Sequence, residues 1–180
     1  NDWADGEGKL QTAYGYEWRH HRVHLDSVQQ GEPVPSLERP YVHHHPEDGE
    51  KILCVDQLKA ALYHLKNNPN TRRMVVCAWR PSNALFSLLP PCHFTFQVNV
   101  LGGKVHVKLS QRSADIALGV GFNAAHYGMF VLAFAKESGL EPGNLIHSFG
   151  DTHAYCGTHE RASFYSNREN LVELQKRIRA

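Results

Sequence analysis

Residues 90–98 read PPCHFTFQV, in which two prolines and a cysteine precede a run that alternates between polar and apolar side chains. Proline fixes φ and lacks a backbone N–H, so Pro90 and Pro91 do not belong inside a strand ladder. The alternation from His93 onward is typical of a half-buried strand. Cys92 therefore lies where a rigid loop enters a sheet, a good position for a nucleophile. The alternative at this point is a small, buried and inert cysteine.

A hairpin is predicted directly after this point. The pair Gly102-Gly103 separates the alternating residues 93–100 from residues 104–112, and two glycines in such a place favour a tight turn. The second strand ends in Gln111-Arg112-Ser113, which places a cation and a hydroxyl at a strand end.

Other segments show helical and strand patterns in turn. Residues 54–67 have apolar side chains at helical spacing, and residues 72–79 (RRMVVCAW) predict a strand with two arginines, Arg72 and Arg73, at its mouth. Residues 124–137 are apolar on nearly every face, which predicts a helix buried all round. Asn123 could be the N-cap of that helix, and the alternative is that its amide recognises a ligand.

The last part of the chain predicts a short strand and a charged helix. The strand covers residues 145–149, and the helix covers residues 168–179. Between them, His153 and Tyr155 are two residues apart, so they share one face if the chain there is extended.

Length and composition predict one soluble globular domain. The chain has 180 residues, of which 42% are apolar and 21% charged. Its 19 Lys and Arg against 18 Asp and Glu give a net charge of +1, so anion recognition must come from local clusters. No apolar run is long enough to cross a membrane, and we expect no membrane partner.

The four cysteines, Cys54, Cys77, Cys92 and Cys156, have no Cys-x-x-Cys spacing. We interpret them as reduced thiols, which indicates a cytoplasmic protein. Because the chain begins at Asn1 without a methionine, we also expect it to be a fragment.

Residues 23–50 are rich in proline and poor in periodic apolar residues, which predicts an exposed loop or insertion. This segment contains three consecutive histidines, His43, His44 and His45. Neighbouring side chains in an extended segment point to opposite faces, and no further ligand completes a site. We therefore expect no metal here.

Together these elements supply a thiol, arginines at strand ends, an amide and a His/Tyr pair. Nearby arginines raise the thiolate fraction of a cysteine, and their planar forks match phosphate oxygens. An amide both donates and accepts, so it can bind the edge of a heterocycle. This assembly suits a nucleoside monophosphate attacked by a thiolate. The sequence has neither a Walker-type phosphate loop nor a dinucleotide fingerprint.

Several motifs of residues 1–160 closely resemble those of thymidylate synthases, in the same order and at similar spacings. They are YGYEWR at 14–19, TRR at 71–73, PPCH at 90–93, QRSAD at 111–115, LGVGFN at 118–123 and GDTHAY at 150–155. The resemblance is specific for the superfamily, which also contains the pyrimidine-nucleotide hydroxymethylases.

The resemblance implies an α+β fold, with a mixed sheet and packed helices, and a homodimer joined sheet on sheet with shared active sites. It implies one domain over residues 1–180 that lacks the family's N-terminal region and its C-terminal sheet, with residues 23–50 as a loop insertion. The expected small-molecule partners are a pyrimidine nucleotide and 5,10-methylenetetrahydrofolate as co-substrate. No metal and no nucleic acid are required.

The resemblance also implies the chemistry of the site. Cys92 would attack C6 of the pyrimidine, with Arg112 beside it, His93 would order the network around the nucleophile, and Tyr14 would help to remove the C5 proton. Asp115 and Gly119 would contact the pterin of the folate.

For the nucleotide, the resemblance implies a second group of contacts. Arg112 and Ser113 would hold the phosphate, and Arg72 and Arg73 would reach it from the other subunit. Asn123 would bind the uracil edge. The ribose would be held by His153 and Tyr155.

Three functions remain open at this point. The first is methyl transfer to dUMP, which gives dTMP and dihydrofolate. The second is hydroxymethyl transfer to dUMP, dCMP or CMP, in which water adds to the exocyclic methylene. The third is a catalytically inactive relative that keeps the nucleotide site.

Overall fold

A computed structural model describes residues 14–23, 39–45, 49–84, 87 and 89–155. Within these ranges the helices are α1 Tyr14–Arg19, α2 Gln57–Asn67, α3 Pro81–Ala84 and α4 Val120–Ser138. The strands are β1 His21–Arg22, β2 Val42–His45, β3 Gly49–Val55, β4 Val75–Cys77, β5 His93–Leu101, β6 Lys104–Asp115 and β7 Glu141–His153.

The strands form two sheets. A small antiparallel sheet has the order β1-β3-β2, and a larger sheet has the order β4-β5-β6-β7. In the larger sheet, β4 and β6 run antiparallel to β5, whereas β6 and β7 are parallel and are connected through α4. Mixed sheets with segregated helices confirm the predicted α+β class.

The core lies between one face of the larger sheet and the helices α1, α2 and α4. The alternation on β6 buries Val105, Val107 and Leu109 on this face, as their period of two predicts. Trp18 of α1 packs edge-on against Phe96 of β5, with ring centroids 5.9 Å apart. This contact fixes the N-terminal helix on the sheet.

The predicted hairpin is confirmed. Residues 93–101 pair with residues 104–115 through the turn at Gly102 and Gly103, both of which have positive φ. Strand β6 is longer than the predicted 104–112 and continues through Ser113 to Asp115.

Part of the predicted loop 23–50 is wrong, because β2 and the start of β3 lie within it. These strands pair in the small sheet, where Tyr41 and His45 are buried. Residues 24–38 and 46–48 lie outside the described residues. For these residues the loop remains a prediction.

Helix α2 begins at Gln57, so residues 54 and 55 of the predicted helix 54–67 belong to β3 instead. Asp56 decides the boundary, because its Oδ1 accepts a hydrogen bond from the Lys59 N–H at 3.0 Å, as an N-cap does. The amide of Gln57 then joins α2 to β4 by exchanging two hydrogen bonds with the Cys77 backbone.

Two predictions about α4 are wrong. Its N-cap is Gly119, and Asn123 lies within the first turn. The helix is not buried all round, because Phe122, Met129 and Leu132 are more than half exposed in the described part of the chain. The prediction of burial rested on the apolar composition of the helix, which does not show which of its faces another element covers.

The remaining predictions differ in extent. The strand predicted at 145–149 covers Glu141–His153, because it pairs with β6 along most of its length. In the segment 72–79, only Val75–Cys77 is strand, and both arginines precede it. The helix predicted at 168–179 lies outside the described residues.

None of the helices in the described ranges has the length and apolarity to cross a membrane. Cys77 and Cys92 are reduced thiols, and Cys156 lies beyond the described ranges.

The C-cap of α4 gives a test of the backbone geometry. Gly139 has φ +73° in the left-handed region, whereas Gly128 lies inside the helix with open space where a Cβ would be. We expect Gly139→Ala to lower the free energy of unfolding by about 1 kcal/mol. The matched change Gly128→Ala should raise it by about 0.5–1 kcal/mol. Urea denaturation of both variants measures the difference, and equal signs would contradict the cap assignment.

Candidate active site

The predicted site residues meet at one edge of the larger sheet. Parallel strands β6 and β7 end at the same edge, and the antiparallel β5 begins there, with His93 paired to Gln111. Cys92 therefore lies beside the end of β6. Gly150 of β7 allows the close approach, because a Cβ at this position would lie 2.7 Å from the Arg112 carbonyl oxygen.

Arg112 connects its strand to the loop that carries the thiol. Its backbone N–H donates to the Cys92 carbonyl at 2.8 Å. Its Nε donates to the Pro91 carbonyl at 3.0 Å, and its Nη2 donates to the Pro90 carbonyl at 2.6 Å. The same Nη2 lies 3.8 Å from Cys92 Sγ. A guanidinium N–H at this distance can donate a hydrogen bond to the sulfur.

Tyr14 contacts the other side of Cys92. The Cys92 backbone N–H donates to its hydroxyl oxygen at 2.6 Å, and its ring stacks on His93 with centroids 3.7 Å apart. Burial raises the pKa of Tyr14. The phenol therefore stays protonated at neutral pH and keeps a hydroxyl proton to donate.

His93 is held as a neutral ring. Its Nδ1 lies 2.8 Å from the hydroxyl of the buried Tyr127. Burial, with a smaller contribution from His126 and His147, lowers the pKa of His93 to about 4. The positive charge next to the thiol thus comes from Arg112 rather than from this histidine.

The amide of Asn123 is part of a hydrogen-bond network. Gln111, which is 3% exposed, donates through Nε2 to Asn123 Oδ1 at 3.1 Å and to the Ser113 carbonyl at 2.9 Å. Its Oε1 lies 2.8 Å from His147 Nε2. Three strand and helix positions are therefore connected through one buried side chain.

His153 and Tyr155 lie at the same sheet edge. His153 is opposite Asp115 in the β6–β7 register, and its carbonyl accepts from the Ile116 N–H at 3.0 Å. The His153 ring contacts Tyr155 edge-on at 5.0 Å, and its Nδ1 lies 2.6 Å from the Asp151 carboxylate. The predicted His/Tyr pair is thus brought close to the end of β6.

Asp115 and Gly119 form the turn between β6 and α4. The Asp115 Oδ1 accepts from the N–H groups of Ala117 and Leu118 at 3.2 and 3.1 Å. The Gly119 N–H donates to the Asp115 carbonyl at 2.9 Å. Both residues therefore stabilise this turn, in addition to the contact with the pterin that is predicted for them.

Arg72 and Arg73 are not brought to this edge. Strand β4 is antiparallel to β5 and Met74 accepts from the Val98 N–H, so both arginines precede β4 near the far end of β5. At about 3.3 Å per residue, Val98, which lies opposite Met74, is about 20 Å from Cys92 along the strand. Both side chains are exposed.

Known proteins match the chain over nearly its whole length. Residues 1–178 match the family described as thymidylate synthase. The chain belongs to the thymidylate synthase family. It is 43% identical to a protein named thymidylate synthase from Haloferax volcanii, over 98% of this chain. The alignment covers 48% of that relative, so the chain spans about half its length.

Membership of the thymidylate synthase family confirms the resemblance found in the motifs. Three residues of the site were missed by the sequence analysis: Gln111 as a network residue, Tyr127 and His147. Gln111 had a usable signal, since it continues the buried face of Val105, Val107 and Leu109 with a polar side chain. Tyr127 and His147 had none, because their contacts join distant positions.

In the part of the chain that the structure describes, no group of three or more His, Cys, Asp or Glu side chains is arranged to hold a metal ion.

The low pKa of His93 predicts a pH dependence of stability. Its folded-state pKa of about 4 lies below the ordinary value of 6.5, so the unfolded chain binds more protons between these values. The contribution is fully present above pH 6.5, and the free energy of unfolding should fall as the pH drops toward 4. NMR titration should find the folded ring neutral until about pH 4. A midpoint above pH 6 would contradict the burial argument, and His93→Gln should show a shallower pH dependence of stability.

Proposed function

We propose that the protein catalyses methyl transfer from 5,10-methylenetetrahydrofolate to dUMP, giving dTMP and dihydrofolate. The observation that carries this proposal is the contact between Arg112 and Cys92 at a sheet edge that also holds Asn123, His153 and Tyr155. Family membership and a relative named thymidylate synthase support the same reaction.

The first step is attack by the Cys92 thiolate on C6 of the uracil. The new S–C6 bond moves the C5–C6 electron pair into an enolate that extends to O4. Arg112 stabilises the thiolate before attack, because its charge is close and permanent. The bond between the methylene carbon and N10 of the folate breaks, its electron pair takes up a proton on N10, and C5 attacks the methylene carbon that remains on N5, which joins the two substrates.

The second stage removes the C5 proton and the folate. Tyr14 is suited to assist through ordered water, since its hydroxyl lies beside the Cys92 backbone and remains protonated. Loss of the proton and of the folate nitrogen leaves an exocyclic methylene. Tetrahydrofolate gives a hydride to this carbon and is oxidised to dihydrofolate. Cys92 then leaves C6, and the methyl product is released.

The nucleotide contacts follow from the same edge. Arg112 and Ser113 at the end of β6 would bind the phosphate, and His153 and Tyr155 would bind the ribose hydroxyl. Asn123 would pair with N3–H and O4 of uracil through its amide oxygen and nitrogen. His93 would keep the surrounding network ordered as a neutral ring.

The folate would bind near the turn that connects β6 to α4. Asp115 and Gly119 form this turn, and its position beside His153 places it next to the proposed ribose contacts. A carboxylate at this position can accept from the pterin N–H groups. The turn would therefore hold the folate next to the nucleotide.

A homodimer with shared sites is part of the proposal. Arg72 and Arg73 are exposed and lie far from Cys92 in their own chain, which supports a role in the site of a second copy. Sheet-on-sheet packing would bring them there. We propose a cytoplasmic location, since the described thiols Cys77 and Cys92 are reduced.

The nucleophile can be tested by covalent trapping in the native full-length protein. With 5-fluoro-dUMP and methylenetetrahydrofolate, we expect the intact mass to increase by the sum of both ligand masses. The fluorine at C5 replaces the proton that must be removed, so the reaction stops at the covalent adduct. Cys92→Ser should form no adduct, whereas Cys77→Ser should react like the wild type. Adduct formation by Cys92→Ser would overturn the assignment.

With dUMP itself, mass spectrometry of the product separates the remaining functions. A methyl group supports the proposal, and a hydroxymethyl group would replace it. Nucleotide binding without turnover would indicate an inactive relative.

Shared sites can be tested by mixing two inactive variants. Arg72→Ala and Cys92→Ser homodimers should each lose most dUMP turnover. After subunit exchange, one site of the heterodimer combines an intact thiol with an intact Arg72, so about a quarter of wild-type activity should return at equal mixing. Exchange is confirmed by native mass spectrometry. No recovery after confirmed exchange would contradict shared sites.

A further inference from the structure

The Ser113 carbonyl identifies the orientation of two amides, those of Gln111 and Asn123. The Ser113 carbonyl can only accept, so the group of Gln111 that faces it at 2.9 Å must be Nε2. The same nitrogen then donates to Asn123 at 3.1 Å, and the facing atom of Asn123 must be its oxygen. Asn123 Nδ2 is thereby turned away from Gln111.

The same argument fixes the tautomer of His147. Because Nε2 of Gln111 faces Ser113, its Oε1 faces His147 at 2.8 Å and can only accept. His147 must therefore carry its proton on Nε2. The Ser113 carbonyl and the His147 N–H thus hold the two atoms of the Gln111 amide, and Gln111 in turn holds Asn123.

We propose that His147 is a positioning residue that strengthens the preference for uracil over cytosine. Together with the Ser113 carbonyl it holds Gln111 and, through Gln111, the amide of Asn123 in one orientation. This inference rests on the proposed function, in which Asn123 binds the base. It assigns a role to a side chain that touches neither the base nor the thiol.

The fixed orientation suits uracil. Asn123 Oδ1 has a second lone pair for N3–H, and its Nδ2 can donate to O4. Cytosine offers an acceptor at N3 and a donor at its exocyclic amine, so both contacts would be mispaired. A flipped Asn123 would match cytosine, but its Nδ2 would then face the Nε2 donor of Gln111. The network therefore penalises the flip.

His147 is placed for this role by its surroundings. It lies on β7 opposite Leu109, and its ring contacts Phe149 with centroids 4.0 Å apart. Burial lowers the pKa of His147, which keeps the ring neutral at physiological pH. A neutral ring has one N–H, and the packing directs this N–H at Gln111.

The test measures binding of dUMP and dCMP to the native full-length protein by calorimetry. His147→Phe keeps a ring against Phe149 but removes the donor, and we expect the dUMP/dCMP affinity ratio to fall about 3- to 10-fold, the effect of one lost hydrogen bond. His147→Gln restores an N–H donor and should recover most of the ratio.

His106→Phe is the matched control. His106 lies near the opposite end of the β6–β7 pair, where its Nδ1 accepts from the Asn144 N–H at 3.1 Å. The same substitution there should leave the ratio unchanged. A folded His147→Phe with an unchanged ratio, or a wild type that binds both nucleotides equally, would overturn the inference.

Two further measurements make the result decisive. ¹⁵N NMR of the wild type should show His147 as the Nε2–H tautomer, and an Nδ1–H tautomer would overturn the inference without any variant. Binding is measured separately from dTMP formation. A wild type that prefers dUMP but makes no dTMP would refute the proposed reaction, while the affinity ratios would still decide the role of His147.

Discussion

The guanidinium of Arg112 is the constraint on which the position of the thiol depends. Pro90 and Pro91 have no backbone N–H and cannot join the strand ladder as donors. The loop can therefore be held only through their carbonyl groups, which need a donor from another part of the chain. Arg112 supplies two such donors and also approaches Cys92 Sγ at 3.8 Å. A lysine could not make these contacts together, because its donors radiate from one atom. The residue that contacts the Cys92 sulfur therefore also holds the loop that carries it.

At this site an arginine supplies the positive charge, whereas neutral histidines orient their hydrogen-bond partners. Burial lowers the pKa values of His93 and His147, so both rings act as neutral hydrogen-bonding groups. Arg112 keeps its charge at any working pH. Above pH 6.5 the protonation of His93 and His147 therefore does not change the electrostatic field at the thiol. Their neutral tautomers remain available to orient Tyr127 and Gln111.

Sequence patterns predicted local structure better than the connections between elements. The period of two and the glycine pair at 102–103 were enough for the hairpin, and the loop before it correctly located Cys92 at a strand mouth. The helix cap and the burial of α4 were mispredicted, since composition does not say which faces a partner covers. The contact of Gln111 with His147 joins positions 36 apart, and no local period records such a contact. Membership of the family was predictable because whole motifs, rather than single residues, carry it.

The distance between the arginine pair and the thiol follows from topology. Strand β4 is antiparallel to β5 and begins opposite Gln97, so Arg72 and Arg73, which precede it, lie toward the C-terminal end of β5. A change of rotamer cannot cover about 20 Å, since an extended arginine side chain reaches only about 7 Å from its Cα. Within one chain, these arginines therefore cannot contact a phosphate held by Arg112. If they bind that phosphate, the sheet must supply them from a second copy, which makes assembly a condition of a complete site.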